Sequence, residues 1–377
     1  MTFPLAPNAM IGLVGGGQLG RMSAMAAARL GYRCHILTRE ADSPAAQVAH
    51  AVTISDYADP VSLRAFAAAV DVISFEFENV SAEGLALLDS LKPVRPAPSV
   101  LRISQDRVTE KSFLNDAGVA TAPWLSVGSL AELRDAAERL GLPAVLKTTR
   151  LGYDGKGQRT LRDAAECADA WAALEPKPLI LEGFVDFACE ISVVIARGAD
   201  GAMSAFDTVE NRHHAHILDI TLAPARIAEG TAAAAQSIAR RVVAALDLVG
   251  LLAVEMFVDA RGRVLVNEIA PRPHNSGHWT LDACAASQFE LHIRAIAGLP
   301  LPPAVRHSDA VMKNLIGPEG VALWPAIVAT PGLIPHLYGK AEARPGRKMG
   351  HFTRLFSKGA LPGEFGVAAA LRLPLVG

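Results

Sequence analysis

Short apolar runs alternate with helical patterns through the first hundred residues: 10–14, 33–37, 51–55 and 72–77 read as strands, and 19–30, 60–70 and 81–91 as helices. Strands separated by helices in this way predict parallel βαβ units with right-handed crossovers. The run Lys92-Pro-Val-Arg-Pro-Ala-Pro98 then sets three prolines where they disfavour both helix and central strand, and the first domain boundary is expected there. Beyond it the pattern changes to helices followed by longer sheet-forming runs. Helices are expected at 106–117, from Ser129 onward and at 231–246, with Ser129 and Glu132 at the S-x-x-E spacing of a reciprocal helix cap. Strands are expected at 144–147, 179–182, 190–196, 251–258 and 264–269. Leu299-Pro-Leu-Pro-Pro303 marks the second boundary and leaves a small, β-rich C-terminal piece. The expected parts are therefore 1–98, 99–303 and 304–377.

Composition narrows the class of function. The chain has 377 residues, 51% of them hydrophobic, and 36 Lys plus Arg against 38 Asp plus Glu give a net charge of −2. That balance argues against general electrostatic binding to nucleic acid or an anionic membrane. Two stretches without formal charge, 1–20 and 320–339, are broken by prolines and do not read as membrane helices, and the first has no basic leader. Cys34, Cys167, Cys189 and Cys284 lie far apart and suggest neither a zinc ribbon nor a disulfide framework. Cytoplasmic residence is expected.

Gly15-Gly-Gly-Gln-Leu-Gly20 matches G-x-G-x-x-G between a strand and a helix, with Glu40 twenty residues on. Taken alone, it fits a dinucleotide site of an NAD-dependent oxidoreductase, another phosphate site, or a tight turn holding no nucleotide. Lys147 ends a strand, and Gly152-Tyr-Asp-Gly-Lys-Gly-Gln158 follows. Three glycines let this backbone close over a polyphosphate, with Lys147 and Lys156 supplying charge; a flexible hairpin with solvated lysines is the alternative.

The most informative pair is Glu255 and Glu268, on two apolar runs joined by 259–262. A two-residue turn pairs Glu255 with Glu268; a four-residue loop pairs it with Val266. Both registers put the carboxylates on one face, because side chains alternate with period two. Facing carboxylates repel by about 4 kcal/mol at about 4 Å in a medium of dielectric about 20. A bound cation removes that conflict, and hard oxygen ligands point to Mg²⁺ shared with substrate phosphates. Directly afterwards, Ala270-Pro-Arg-Pro-His-Asn-Ser-Gly-His278 offers Arg272, His274, Asn275, Ser276 and His278 to an anionic intermediate. His213, His214 and His216 invite a zinc reading, which the lack of an obvious fourth ligand disfavours.

Assembled, these residues resemble the ATP-grasp ligases, and within them the 5-(carboxyamino)imidazole ribonucleotide synthases of purine biosynthesis. The resemblance is carried by Gly17-Gln-Leu-Gly-Arg-Met22, Phe75-Glu-Phe-Glu-Asn-Val80, Gln105-Asp-Arg107, the 152–158 segment, Glu210-Asn-Arg-His213, Asn267-Glu-Ile-Ala-Pro-Arg272, His274-Asn-Ser-Gly-His-Trp279 and Pro345-Gly-Arg-Lys-Met-Gly-His351. It implies an α/β and α+β architecture: an ATP-grasp fold with an N-terminal parallel βαβ (pre-ATP-grasp) domain, a glycine-rich lid near 147–158 and a small C-terminal β-rich domain. It also implies that ATP and bicarbonate form carboxyphosphate, whose carboxyl group, or the CO₂ it releases, is captured by the amine of 5-aminoimidazole ribonucleotide. The nearest enzymatic rival is a formate-dependent glycinamide ribonucleotide transformylase.

By the same resemblance, ATP is held by Arg107, Lys147, Gly152, Tyr153, Asp154, Gly155, Lys156, Gly157, Gln158, Glu182, Gly183, Phe184, Val185, Glu190, His213, Asn267 and Glu268. One or two Mg²⁺ ions sit on Glu255 and Glu268. Glu76, Tyr153 and Asp154 are candidates for the aminoimidazole, and Arg272, His274, Asn275 and Ser276 for bicarbonate. Gly17, Gln18 and Leu19 fall on the ribonucleotide side, where Lys340 and Arg347, with Lys348, are expected to clamp its phosphate. Two positions depart from common patterns. Lys156 stands where other members often have Arg, and Ala270, as in this family, stands where many ATP-grasp enzymes have an Asn ligand, so no third protein ligand to the metal is expected. With the chain ending at Gly377, no fused mutase domain is expected. The resemblance further implies a homodimer.

Overall fold

The computed structural model describes residues 3–150, 152, 156–174 and 178–373. The first part forms four parallel strands, β1 (Met10–Val14), β2 (Arg33–Thr38), β3 (Ala51–Ile54) and β4 (Val72–Phe75), in the order β3-β2-β1-β4. Strands β1 and β4 are almost wholly buried, because helices cover both sides, and the polar Ser74 of β4 meets His292 at 3.1 Å. Helix Pro60–Ala68 starts where expected: Asp59 accepts the Ser62 N–H, and Pro60 occupies a first-turn position that needs no donor. The proline run that disfavoured helix ends by starting one, Pro98–Ser104, for the same reason.

The second sheet is small and antiparallel: β5 (Trp124–Val127), β6 (Ala144–Thr148), β7 (Gln158–Leu161) and β8 (Leu179–Gly183), in the order β5-β8-β6-β7. Ser129 accepts the Glu132 N–H, but Glu132 reaches back to the Gly128 N–H, one residue earlier than the reciprocal cap predicts.

The third sheet is the centre of the molecule. It contains β9 (Phe187–Arg197), β10 (Met203–Ala205), β11 (Val209–His214), β12 (Ile217–Ala223), β13 (Gly250–Asp259), β14 (Val264–Ala270), β15 (Ser308–Ile316), β16 (Leu333–Leu337) and β17 (Lys348–Ser357). Its order is β14-β13-β9-β11-β12-β15-β17-β16, with β10 on β9. The β-rich C-terminal strands join this sheet directly, through β12 to β15. Among the described residues, no helix is long and apolar enough to cross a membrane. The four cysteines are free thiols, three buried and Cys189 half-buried.

Candidate active site

The hairpin β13–β14 builds the floor of the site, and it does so by a register that neither expected turn produces. Asp259 accepts the Gly262 N–H and donates to the Arg263 carbonyl, so three residues form the loop, and Gly262 takes the left-handed conformation (φ 77°) that the reversal needs. Val258 then faces Val264, and Met256 faces Val266. Continued regularly, this register would set Glu255 against Asn267 and turn Glu268 to the other face. A bulge at Asn267 inserts one extra residue, so Glu255 faces Glu268 after all.

Helix Arg107–Asp116 supplies the next layer. Asp106 caps it by accepting from the Val108 and Thr109 N–H groups. Arg107, Glu110 and Lys111, at helical spacing with buried Leu114, face the hairpin. Arg107 meets Glu268 at 3.2 Å, Glu110 accepts the Ile269 N–H at 2.7 Å, and the fully buried Lys111 donates to the Asn267 carbonyl at 3.1 Å. Burial, with the charge of Glu268 behind it, pushes Glu110 up to about 8. Lys111 and Lys147 converge on Glu182 at 3.2 and 3.0 Å. Burial opposes ionisation of Glu182, but Lys147, Lys111 and Arg107 outweigh it and hold it at about 2. Glu110 and Lys111 were not singled out in the sequence; their one signal is polar character on a helix face that also carries Leu114.

Beyond β14, the loop carrying Arg272 to Ser276 is pinned by Gln288, which accepts the His274 N–H and donates to the His274 carbonyl. Arg272 meets Glu78 at 2.6 Å. Burial would lower its pKa, but Glu78, Glu76 and Glu255 outweigh that, and the guanidinium stays charged. His274 Nε2 lies 2.9 Å from Glu255, while Asn275 and Asn314 pair reciprocally at 2.9 and 2.7 Å. Burial works against Glu255 as an anion, yet His274, with His213 and Lys348 further off, holds it at about 2. His213 lies 3.0 Å from Glu190, which raises its pKa against the effect of burial. Glu78 on the cleft wall, and Gln288 and Asn314 buried behind the loop, were not assigned a role in the sequence reading.

The glycine turn at 15–20 is filled by the protein itself. Gly17 and Gly20 donate their N–H groups to Glu76 at 2.6 and 3.0 Å. A Cβ at Gly17 would stand 2.5 Å from Glu76 Oε1, so these glycines admit a carboxylate at the place where a dinucleotide fold admits pyrophosphate. Burial raises the pKa of Glu76 despite those two donors and the nearby Arg272 and Lys340.

All three sheets border one cleft of about 780 Å³. Its wall holds Gln18, Leu19, Glu76, Arg107, Lys147, Gly152, Lys156, Gln158, the strand end Glu182 to Val185, Glu190, His213, Glu255, Asn267, Glu268, Arg272, His274, Asn275 and Lys348. Phe187 and Phe257, which sequence reasoning missed, stack there at 4.7 Å between ring centres. Five expected residues lie off the wall. Gly17 is bound to Glu76, the Gly157 carbonyl accepts the Thr148 N–H, and Ser276 is buried beneath His274. Lys340 donates to the Lys348 carbonyl and Arg347 to the Glu342 carbonyl, so the structure brings Lys348, and not Arg347, to the cleft. Tyr153, Asp154 and Gly155 lie outside the described residues.

The donor set fits a nucleotide with a hard divalent cation. Glu182 Oε1 and Asn267 Oδ1 are buried acceptors with no hydrogen-bond partner among the described residues, a condition that calls for a ligand donor or a cation. Two carboxylates and an amide oxygen on one hairpin suit Mg²⁺, which takes its remaining oxygens from phosphate and water.

Comparison with known proteins agrees with this geometry. Residues 8–105 match the ribonucleotide synthetase preATP-grasp domain, 112–289 the ATP-grasp domain, and 310–360 the phosphoribosylaminoimidazole carboxylase C-terminal domain. The chain is 52% identical over 353 residues to the N5-carboxyaminoimidazole ribonucleotide synthase of Brucella melitensis, covering 93% of this chain and 97% of that one. It superposes on an ADP complex of N5-carboxyaminoimidazole ribonucleotide synthetase with a TM-score of 0.93, at 40% identity and 98% coverage of both chains. The Aspergillus clavatus N5-carboxyaminoimidazole synthase, in complex with ADP and 5-aminoimidazole ribonucleotide, superposes with a TM-score of 0.89, at 30% identity and 97% coverage of both. The chain belongs to the N5-carboxyaminoimidazole ribonucleotide synthase family of ATP-grasp ligases.

Proposed function

We propose that this enzyme uses ATP and bicarbonate to carboxylate 5-aminoimidazole ribonucleotide to N5-carboxyaminoimidazole ribonucleotide, releasing ADP and phosphate, in purine biosynthesis. The observation that carries this reading is the single cleft that joins a cation-lined pocket, two facing carboxylates and an Arg-His-Asn loop. In this reading the three parts 1–98, 99–303 and 304–377 meet at the cleft, and the enzyme works in the cytoplasm as a homodimer.

The chain's own residues divide the work. Lys147, Arg107, Lys156 and the 152–158 segment hold the phosphates of ATP, with Asn267 beside them and Glu182 to Val185, Glu190 and His213 around the nucleoside. Glu255 and Glu268 would hold Mg²⁺, which neutralises charge on the phosphates when bound. Arg272, His274 and Asn275, supported by Ser276, orient bicarbonate. An oxygen of bicarbonate attacks the γ-phosphorus, ADP leaves, and carboxyphosphate forms. The amine nitrogen then bonds to the carboxyl carbon, phosphate leaves, and the nitrogen gives up a proton. Glu76 and Lys348 border the ribonucleotide side, with Lys340 behind them. Because Glu76 occupies the glycine turn, the oxidoreductase alternative loses its pyrophosphate donors.

Phosphate release is the test, with ATP, bicarbonate and the ribonucleotide omitted in turn. The full rate should need all three. Consumption of glycinamide ribonucleotide with formate in place of bicarbonate would make the enzyme a transformylase.

A further inference from the structure

A row of polar side chains crosses the large sheet beneath the cleft. Glu268 faces Glu255, Glu255 faces Ser192, and Asn211, two residues beyond the partner of Ser192, faces Thr221. Hydrogen bonds join this row to the loop above it. Thr221 Oγ1 donates to Asn211 Oδ1 at 3.2 Å, Asn211 Nδ2 to Ser192 Oγ at 2.9 Å, and Ser192 Oγ to Ser276 Oγ at 2.7 Å. Ser276 Oγ lies 2.8 Å from His274 Nδ1, and His274 Nε2 lies 2.9 Å from Glu255 Oε1. Ser192, Thr221, Ser276 and Asn211 are all buried, so water does not compete for these bonds.

Both ends of the chain fix its direction. The main-chain N–H of Ser276 stands 3.3 Å from His274 Nδ1 and has only a proton to offer, so Nδ1 accepts and the proton of the neutral ring sits on Nε2. At the far end, the Asn211 amide donates to Ser192. The Ser192 proton is therefore directed to Ser276, and the Ser276 proton to Nδ1. Every bond in the row points toward Glu255.

We infer that the N–H and hydroxyl of Ser276 hold His274 in its Nε2–H tautomer, and that Ser192, Asn211 and Thr221 are positioning residues that aim the Ser276 hydroxyl at Nδ1. His274 then donates a hydrogen bond to the carboxylate of Glu255, the kind of outer contact that orients a metal-binding carboxylate, and its Nε2 is not the base that takes the amine proton. The role in turnover rests on the carboxylase reading, whereas the tautomer is a property of the protein alone.

The tautomer is read by nitrogen NMR of the full chain with ¹⁵N-labelled imidazoles, at a pH where the rings are neutral and without nucleotide or metal. The His274→Gln variant assigns the signals. A protonated Nε2 with a bare Nδ1 is expected. Ser192→Ala should leave the tautomer in place, because the Ser276 N–H remains, but shift the Nδ1 resonance as the hydroxyl contact loosens and lower kcat about tenfold, equivalent to about 1.4 kcal/mol, with KM for ATP unchanged. Ser192→Thr, which keeps the hydroxyl, should restore both. If Ser192→Ala does not fold, Thr221→Val removes one hydroxyl at constant volume and is read in the same way. A proton on Nδ1 in the unmodified enzyme overturns the inference, as does a Ser192→Ala enzyme with unchanged Nδ1 resonance and kcat. Loss of bicarbonate dependence overturns the carboxylase reading and leaves the NMR result standing.

Discussion

The glycine turn at 15–20 and the hairpin at 255–268 both have the sequence of a ligand site, yet they satisfy their charges in opposite ways. In the turn, backbone donors close on an internal carboxylate, Glu76, and are consumed by it. In the hairpin, two carboxylates face each other and are balanced from separate elements, Glu255 by His274 and Glu268 by Arg107. A motif supplies donors or acceptors, but the neighbouring elements decide whether those groups remain for a ligand. Glu76 makes the turn part of the framework, while the hairpin keeps its charges at the cleft wall.

The largest test of this contrast is removal of hairpin charge. Glu255→Gln and Glu268→Gln should each lower kcat at least about a hundredfold, about 2.8 kcal/mol, with the circular dichroism spectrum unchanged. Near-normal turnover in both would remove the hairpin from the chemistry. The turn should respond in stability first. A methyl at Gly15 (φ 117°) would run into Glu76 Cγ, so Gly15→Ala should cost about 1–3 kcal/mol in urea unfolding. An unchanged midpoint would mean that Glu76 is not held there.

The ribonucleotide side sharpens the comparison. Lys348→Ala should raise KM for the ribonucleotide about tenfold, about 1.4 kcal/mol, and leave KM for ATP nearly unchanged. Arg347→Ala should raise it only about twofold, because its guanidinium is engaged by the Glu342 carbonyl. The reverse order would reinstate Arg347 as the phosphate clamp.

The smallest change is a slope of at most about one proton in the pH dependence of stability, measured by urea unfolding in metal-free buffer. Glu255 has a depressed pKa, so its contribution is present above the unfolded value of 4.5 and fades as the pH falls toward about 2. Glu76 is raised, so its contribution is present below 4.5 and fades as the pH rises through its folded value. Glu255→Gln should therefore flatten the acid loss of stability, and Glu76→Gln should remove a gain that appears on acidification. Identical slopes in the two variants would break the distinction between turn and hairpin.

The sequence by itself determined the local elements and the pairing of motifs with chemistry. Apolar runs of four to six residues set β1 to β4, Asp59 with Pro60 set a helix start, and the two apolar runs either side of 259–262 set the hairpin that carries Glu255 and Glu268. These are short-range consequences of backbone geometry and need no partner. Tertiary structure alone decided the rest. The bulge at Asn267 corrects a three-residue loop that would otherwise have turned Glu268 away. Glu76 reaches the glycine turn across 59 residues, Lys111 reaches Asn267 across 156, and the C-terminal strands extend the central sheet. Such contacts depend on which buried charge finds its partner when the elements pack. That outcome belongs to the cost of leaving a polar group unpaired in the interior, and no local pattern records it.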